Sequence, residues 1–432
     1  MVSVTIVTWN SAQYLEECFA ALSSQDYRDL DVVIVDNASE DGTRALLREV
    51  ETKWRVIYNE KNVGFAAGQN QAIRASRGSC VLCLNPDVVL SPNFVTQLVA
   101  ESEGHFDAGV FCGKLLRWDP SRERGETDRE PAVPKTADAV PEDGSYQGAT
   151  SVVPIQSQED QGFSPCAEAS QGLKPNASTL DSARLKPCPD TKLGDDAGLT
   201  LIADGSRTHA PQQQPSLPDP RRSNIIDSTG IYFTPNMRHL DRGAEEIDRG
   251  QYDRPQYVFG ATGAAAFFRR SFIDDVSVEG EFFDEEFFAF REDADIAWRA
   301  QLMGWKCLYT PKAVAWHVRR VTPERRKDLP LIINWHSAKN RFLMRGKNAS
   351  GWLCWRLFLP VASRDLMTFG YAIVRDRRLL SAVTYWWRAR DSVRRKRAII
   401  QSRRRVSDRD LLWWFSNTPR AVDAEEQSAV SS

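Results

Sequence analysis

The first 119 residues alternate between short, unbroken apolar runs and stretches whose apolar residues recur at helical spacing. This alternation limits the fold more than any other feature of the chain. Residues 2–7, 31–35, Arg55–Tyr58 and Cys80–Leu84 read as strands. Their continuous rather than alternating apolar character fits strands buried on both faces. Between them, Leu15, Cys18, Phe19 and Leu22, and then Leu46, Leu47 and Val50, follow a helical period. Ser91 followed by Pro92 predicts an N-cap and a first helical residue, and Phe94, Val95, Leu98 and Val99 give that helix an apolar face. The pattern predicts an α/β layer built on a mostly parallel sheet flanked by helices.

Two of these strands end in acids. Asp36 closes the second, within Val35-Asp36-Asn37-Ala38-Ser39-Glu40-Asp41-Gly42-Thr43, and Leu84-Asn85-Pro86-Asp87 follows the fourth. In open α/β sheets ligands bind at the carboxyl ends of strands. An acid at Asp36 can accept hydrogen bonds from a base or a ribose, although Asn37 and Ser39 could equally form a turn that caps the next helix. A fixed Asp87 suits Mg²⁺ or Mn²⁺, which take a few protein oxygens and fill the rest of their shell with water and phosphate; Asn-Pro-Asp is also a common turn. Cys80 and Cys83 have CxxC spacing, but within a strand they face opposite sides, so neither zinc nor redox chemistry is indicated.

Further along, residues 257–317 are dense in aromatics and acids. Five of the ten side chains at 284–293 are acidic, and a helix is expected over 292–303, with Gly304 ending it. Crowded carboxylates repel, so some pKa values rise or a cation is drawn in. Glu292 and Asp293 stand where that helix begins, where acids also serve as ordinary caps. A carboxylate there could take a proton from a hydroxyl. Residues 306–309 and 313–316 read as two strands separated by Pro311, and the second runs into His317, which could ligate a metal or contact a diphosphate.

Charge and composition set the remaining organisation. A formal charge of −2 conceals a basic stretch, 318–412, with 24 Lys and Arg against 7 Asp and Glu. Such asymmetry suggests a surface for an anionic partner. Residues 120–222 are rich in Pro, Gln, Ser, Asp and Gly without periodicity, and are expected to be a disordered insertion. Eight cysteines in 432 residues are too sparse for a disulfide scaffold. No leader and no uncharged apolar run of about 18 residues is visible, so a spanning helix is not expected. Four segments result: 1–119, the insertion 120–222, 223–317, and the basic region 318–432.

In their order these pieces resemble family 2 glycosyltransferases of the GT-A fold, in the rhamnosyltransferase-like and galactofuranosyltransferase-like branch. The resemblance rests on several stretches. They are Val4-Thr5-Ile6-Val7-Thr8-Trp9-Asn10, the turn from Val35 to Thr43, Asn62-Val63-Gly64-Phe65-Ala66-Ala67-Gly68-Gln69-Asn70, and Asn85-Pro86-Asp87. Further on come Phe259-Gly260-Ala261 with Gly263-Ala264-Ala265, Glu292-Asp293-Ala294-Asp295 with Trp298-Arg299-Ala300, and Trp316-His317. It implies a Rossmann-like sheet divided into a nucleotide-sugar half, 1–119, and an acceptor half, 223–317. It also implies that Thr8, Asn10, Asp36, Asn37, Asn62, Gly64, Phe65, Asn70 and Asn85 line the nucleotide-sugar site. Asp87 and His317 would hold a divalent metal, Mg²⁺ or Mn²⁺. Asp293 would be the base of an inverting transfer, with Glu292 and Asp295 orienting the acceptor. Asn85 replaces the first acid of the usual Asp-x-Asp, which removes a charge from the metal site.

The basic region mixes Trp352, Trp355, Trp386, Trp387, Trp413 and Trp414 with Arg394-Arg395-Lys396-Arg397 and Arg403-Arg404-Arg405. Trp favours the headgroup boundary and Arg favours anionic lipid, so these residues predict helices lying on a membrane surface. A protein peripheral to the inner face of the cell membrane, working on a saccharide or lipid-linked saccharide, is the expectation. Nucleic acid is not expected as a partner. The predicted donor is dTDP-rhamnose, with UDP-galactofuranose as the alternative. A non-catalytic nucleotide- or saccharide-binding protein on the same fold is a rival. A dinucleotide oxidoreductase would need a glycine fingerprint after the first strand, and Thr8-Trp9-Asn10-Ser11-Ala12 has none.

Overall fold

A computed structural model describes residues 1–119, 221–319, 331–374 and 377–416. The insertion predicted over 120–222 therefore lies outside the described residues, apart from its last two positions.

The N-terminal part runs β1 (Val2–Thr8), α1 (Ala12–Ser23), β2 (Leu30–Asp36), α2 (Thr43–Val50), β3 (Arg55–Tyr58), α3 (Phe65–Ala75), β4 (Cys80–Leu84), β5 (Val88–Leu90), α4 (Phe94–Gly104) and β6 (Ala108–Trp118). After residue 220 come β7 (Arg222–Ser228), β8 (Ile231–Phe233), β9 (His239–Asp241), β10 (Gln256–Val258), β11 (Ala265–Arg269), α5 (Arg270–Val276), α6 (Glu292–Leu302) and β12 (Lys306–His317). The rest is helical: α7 (Leu331–Asn348), α8 (Gly351–Arg356), α9 (Phe358–Val374), α10 (Leu380–Arg388), α11 (Arg390–Ser402) and α12 (Asp408–Ser416).

One ten-stranded sheet carries the order β10-β12-β6-β11-β4-β1-β2-β3, with β5 on β12 and β7 on β6, and β8 and β9 form a separate hairpin. The ladders β4–β1, β1–β2, β2–β3 and β12–β6 are parallel, and the others are antiparallel. The parallel ladders hold more paired positions, so the sheet is mixed but mostly parallel. Alternate residues of the parallel strands enter two cores. Val4 and Ile6 pack on one face with Leu15 and Leu47, and Val7, Val33 and Val35 on the other with Phe65 and Ile73. Cys80 and Cys83 fall on opposite faces, as a strand requires.

Two local expectations change. The helix predicted to start at Pro92 starts at Phe94, because Pro92 and Asn93 form a turn in which Phe94 N–H donates to the Ser91 carbonyl at 3.0 Å. The two strands predicted around Pro311 are one strand, β12, whose register against β6 shifts between Tyr309 and Val314. Proline lacks the donor a ladder needs and is tolerated at such a bulge without ending the strand.

A third core joins the helical region to the sheet. Ala294, Ala297, Trp298 and Leu302 of α6 pack with Leu343 and Met344 of α7, Val393 and Ile400 of α11, and Leu411 and Phe415 of α12. The basic C-terminal helices thus share their interior with the helix that carries Glu292 and Asp293.

Candidate active site

The nucleotide-side residues gather at the carboxyl ends of β1 and β2. Asp36 is buried and both its oxygens are engaged. Oδ1 accepts from the Thr8 hydroxyl at 3.0 Å and the Ser39 hydroxyl at 2.5 Å, and Oδ2 from Ser39 N–H at 3.1 Å and Arg44 Nε at 2.8 Å. Asn10 closes the same loop, donating its N–H to Ser39 Oγ at 2.9 Å and accepting from Glu40 N–H at 2.8 Å. Of Asp36's partners only Arg44 is partly exposed, so it is the one a ligand could displace.

The segment 62–70 is tied into the protein by its polar side chains. Asn62 Oδ1 accepts from Gly64 N–H at 2.9 Å, and Asn37 Nδ2 donates to the Gly64 carbonyl at 3.0 Å. Gly64 has φ +91°, and a Cβ there would stand 2.7 Å from the Phe288 carbonyl oxygen, so only glycine fits. Asn70 exchanges hydrogen bonds with the Phe283 backbone, donating at 2.7 Å and accepting at 2.9 Å, while the Phe65 and Phe283 rings meet edge to face. Asn70 is thus a tie between α3 and the acidic aromatic segment, its amide engaged inside the protein on both sides.

Asp87 and His317 meet because β5 pairs antiparallel with β12, His317 opposite Val88, and Val318 N–H donates to the Asp87 carbonyl at 3.1 Å. His317 Nε2 stands 3.6 Å from Asp87 Oδ1. That is too long for a hydrogen bond, both atoms are buried, and neither has a hydrogen-bond partner. The other ring nitrogen, Nδ1, lies 2.8 Å from Asp227 Oδ2. Asp227 Oδ1 accepts from Arg319 Nη1 at 2.8 Å, and Arg319 Nη2 donates to Asp241 at 2.6 Å. Burial alone would lower the His317 pKa, but Asp227 and Asp87 outweigh it and push it up to about 10. At that pKa the Nε2 proton faces Asp87; a divalent cation that displaced this proton would meet Nε2 and Asp87 Oδ1 with the imidazole already oriented by a carboxylate. Among the described residues no group of three or more His, Cys, Asp and Glu side chains gathers in this way. Asp87 and His317 would therefore leave most of a shell to water and phosphate.

Asp293 sits in the first turn of α6. Its Oδ2 accepts from Gly263 N–H at 3.0 Å, and its Oδ1 from Ala294 N–H at 2.7 Å. Burial raises its pKa to about 6, against the lowering effect of the Gly263 hydrogen bond. Glu292 is buried with neither carboxyl oxygen hydrogen-bonded, and burial followed by the Asp293 charge lifts its pKa well above the carboxylate range. The next residue of the Gly263 turn, Ala264, accepts from Asn85 N–H at 2.9 Å. One turn thus touches both the Asn85-Pro86-Asp87 bend and Asp293.

Asp295 is turned into the protein, with Oδ2 on Arg299 Nε at 3.0 Å and Oδ1 on Asn348 Nδ2 at 2.8 Å and Lys347 Nζ at 3.2 Å. It stands opposite Asp293 around the helix, against α7, and its oxygens are engaged within the protein.

Sequence reasoning missed Asp227, Gly263 as a donor, and Asn340. Asp227 ends the apolar run Ile225-Ile226 as Asp36 ends its own, so the same strand-end signal was present. Asn340 carried none, because it lies in a stretch read only for its charge. Its amide donates to the carbonyls of Phe287, Ala289 and Phe290 at 3.0, 2.8 and 2.7 Å. These contacts hold a strained segment in which Phe288, Phe290 and Arg291 have φ of +64°, +73° and +69°. Arg291 is fixed in turn by the Ser337 carbonyl at 2.9 Å.

The sheet order, the helices on both faces and the site at the strand ends define a fold of the GT-A type. Residues 3–150 match the family model described as glycosyl transferase family 2. An N-acetylglucosaminyltransferase of Bradyrhizobium elkanii is 38% identical over 109 residues, 24% of this chain and 58% of that protein. A validoxylamine A glucosyltransferase of Streptomyces hygroscopicus subsp. jinggangensis is 29% identical over 125 residues, 28% of this chain and 30% of that protein. The crystal structure of S. aureus TarS 1-349 aligns over 93% of this chain and 90% of its own at 13% identity, with a TM-score of 0.42. The chain spans little more than half the length of the first of these two relatives and less than a third of the second. The family model and these relatives support a family 2 glycosyltransferase.

Proposed function

We propose that the chain transfers a sugar, with inversion, from a nucleotide-sugar donor to a hydroxyl of a saccharide or lipid-linked saccharide. The observation that carries this reading is the Gly263-Ala264 turn, which joins the Asp87 bend to Asp293. Asp293, with a pKa near 6, is ionised at neutral pH and takes the acceptor's proton. Glu292 offers two unengaged oxygens to the acceptor. Asp87 and His317 hold a divalent cation, which, when bound, offsets charge on the leaving diphosphate. Asp227 keeps the His317 ring turned towards Asp87. The loop built on Thr8, Asn10 and Asp36 frames the nucleotide.

The branch that 62–70 resembles supports dTDP-rhamnose as donor, with UDP-galactofuranose as the alternative. The mixture of Trp and Arg in the helical region supports a position on the inner face of an anionic membrane. The four segments of the sequence reading serve as donor half, insertion, acceptor half and membrane-facing region.

Calorimetric titration with dTDP-rhamnose, UDP-galactofuranose and UDP-GlcNAc, each with and without Mn²⁺, tests the reading. The third donor is included because the Bradyrhizobium relative bears that sugar's name. Metal-dependent binding of dTDP-rhamnose is expected. Metal-dependent binding of another donor replaces the sugar but keeps the chemistry, and binding of none leaves a fold without this activity.

A further inference from the structure

The clusters Arg394-Arg395-Lys396-Arg397 and Arg403-Arg404-Arg405 are divided: Arg394, Arg395, Arg403 and Arg405 are exposed, while Lys396 is buried and Arg397 and Arg404 are half-buried. Arg397 donates to the Gly346 and Ala349 carbonyls at 2.9 and 2.5 Å, and Arg403 to Ser277 at 2.8 Å. Lys396 is buried against Asp284 at 2.7 Å and Glu281 at 3.0 Å, and Arg405 pairs with Asp275 at 2.8 Å. Lys396 and Arg405 thus meet acids of their own chain, and Arg397 and Arg403 cap backbone carbonyls.

One outward face of the helical region is apolar, and it lies on α8 and α9. Trp355, Leu359, Leu366 and Val374 are 74%, 77%, 73% and 79% exposed, and Phe358, Met367, Tyr371 and Ile373 lie beside them, also exposed. On α9 the exposed positions 359, 363, 366, 367, 370, 371 and 374 form one stripe at helical spacing, and those at 363 and 370 are Ser and Gly. The charges that interrupt this stretch in the sequence are not on that stripe. Asp365 pairs with Arg345 at 2.7 Å and Arg341 at 3.3 Å, both on α7, and so points into the protein. Exposed arginines bracket the stripe at both ends, Arg356 before it and Arg377 after it. Among the described residues no helix is long and apolar enough to cross a membrane.

We infer that the outward face of α8 and α9 is the surface by which this protein lies on an anionic lipid bilayer. The apolar stripe enters the acyl boundary, Trp355 sits at the headgroups, and Arg356 and Arg377 meet lipid phosphates. Charge complementarity at both ends favours lipid over a second copy of the chain, which would bring like charges together. This deepens the membrane part of the reading above and rests on it, but it does not depend on which donor is used.

The test is flotation of the full chain with phosphatidylglycerol vesicles and, in parallel, phosphatidylcholine vesicles. The wild type is expected to float with the first and at least tenfold less with the second. Leu366→Glu/Met367→Glu should weaken partitioning at least tenfold with an unchanged melting temperature. Arg356→Glu/Arg377→Glu should remove the preference for the anionic lipid. Phe106→Glu, on an exposed apolar residue far along the chain from this face, should float like the wild type. Undiminished flotation of the Leu366/Met367 variant overturns the inference. So does a wild type that does not float, whether it is a monomer or a dimer that this variant dissociates in light scattering. A wild type that floats yet binds no nucleotide sugar overturns the catalytic reading alone.

Discussion

Asp284 and Asp295 stand within eleven residues of Glu292 and Asp293, and the four carboxylates are all buried, yet the fold treats the two pairs in opposite ways. Asp284 is held by Lys396 at 2.7 Å and by Lys347, and Asp295 by Lys347, Asn348 and Arg299. Although burial would raise it, the Asp284 pKa is driven far below the carboxylate range by the two lysines. Among the described residues Glu292 and Asp293 receive no cation within ion-pair distance, and burial raises both. One acidic cluster is thus divided into a half that anchors the C-terminal helices and a half without a paired cation among the described residues, to which the proposed reaction assigns the base. The lysines of α7 and α11 decide which is which.

The largest effect expected from this contrast is at Asp293. Asp293→Asn should lower turnover by about 10²–10⁴-fold, the usual contribution of a general base, with donor affinity nearly unchanged. In the wild type, kcat/KM should fall tenfold per pH unit below about 6 as the base is protonated. Stability should move the other way. The folded chain holds the Asp293 proton more tightly than the unfolded one. Its contribution is therefore present below pH 3.8 and lost as pH rises towards 6. At pH 7 the ionised group costs up to ~3 kcal/mol, and the Asn variant should melt no lower than the wild type. A flat pH–rate profile between 5 and 7, or equal loss of donor affinity, removes Asp293 from the role of base.

The ion-paired half should behave as its mirror image. Asp284→Asn leaves Lys347 and Lys396 buried with one partner fewer, and breaking a buried pair costs about 3–5 kcal/mol. A large drop in melting temperature is expected, read by calorimetry at pH 7. If Asp284→Asn melts like the wild type while Asp293→Asn unfolds, the division of the cluster is the reverse of the one described.

The parallel half was legible because its strands are buried on both faces, which leaves continuous apolar runs, and because strand ends carry the ligand-facing acids. Asp36, Asp87 and His317 stood out as candidates because each follows an apolar strand, and the roles proposed for them rest on the resemblance. What was not legible is partner choice. Asp293 and Asp295 are indistinguishable in a string of acids, and only the placement of Lys347 and Asn348 turns Asp295 inward. The same holds for Asn70, whose part in a family-like segment suggested a ligand but whose partner is the backbone of Phe283, more than two hundred residues away. The arginine clusters were legible only in part, since net charge reports how many cations a stretch holds and not which of them, like Lys396, its own acids have already met.

Asp227 offers a way to sharpen the metal side of the comparison. Replacing the carboxylate that orients His317 with an amide should weaken Mn²⁺ binding by about 10–100-fold, measured by titration or by electron paramagnetic resonance without any turnover. Unaltered affinity would mean that the ring is held by its strand alone.

The smallest effect is expected at Glu292, and it is the finest test of the division. Neither Glu292 oxygen is hydrogen-bonded, and burial followed by the Asp293 charge disfavours its ionised form. Glu292→Gln removes a carboxyl whose burial opposes folding, so its melting temperature should stay level or rise. If its free oxygens hold the acceptor, the variant should raise the acceptor KM by about 2–10-fold, the worth of one net hydrogen bond, with kcat and donor affinity little changed. A fall in stability as large as that of Asp284→Asn would instead mean that Glu292 is ionised and paired, and that the reactive half of the cluster is Asp293 alone.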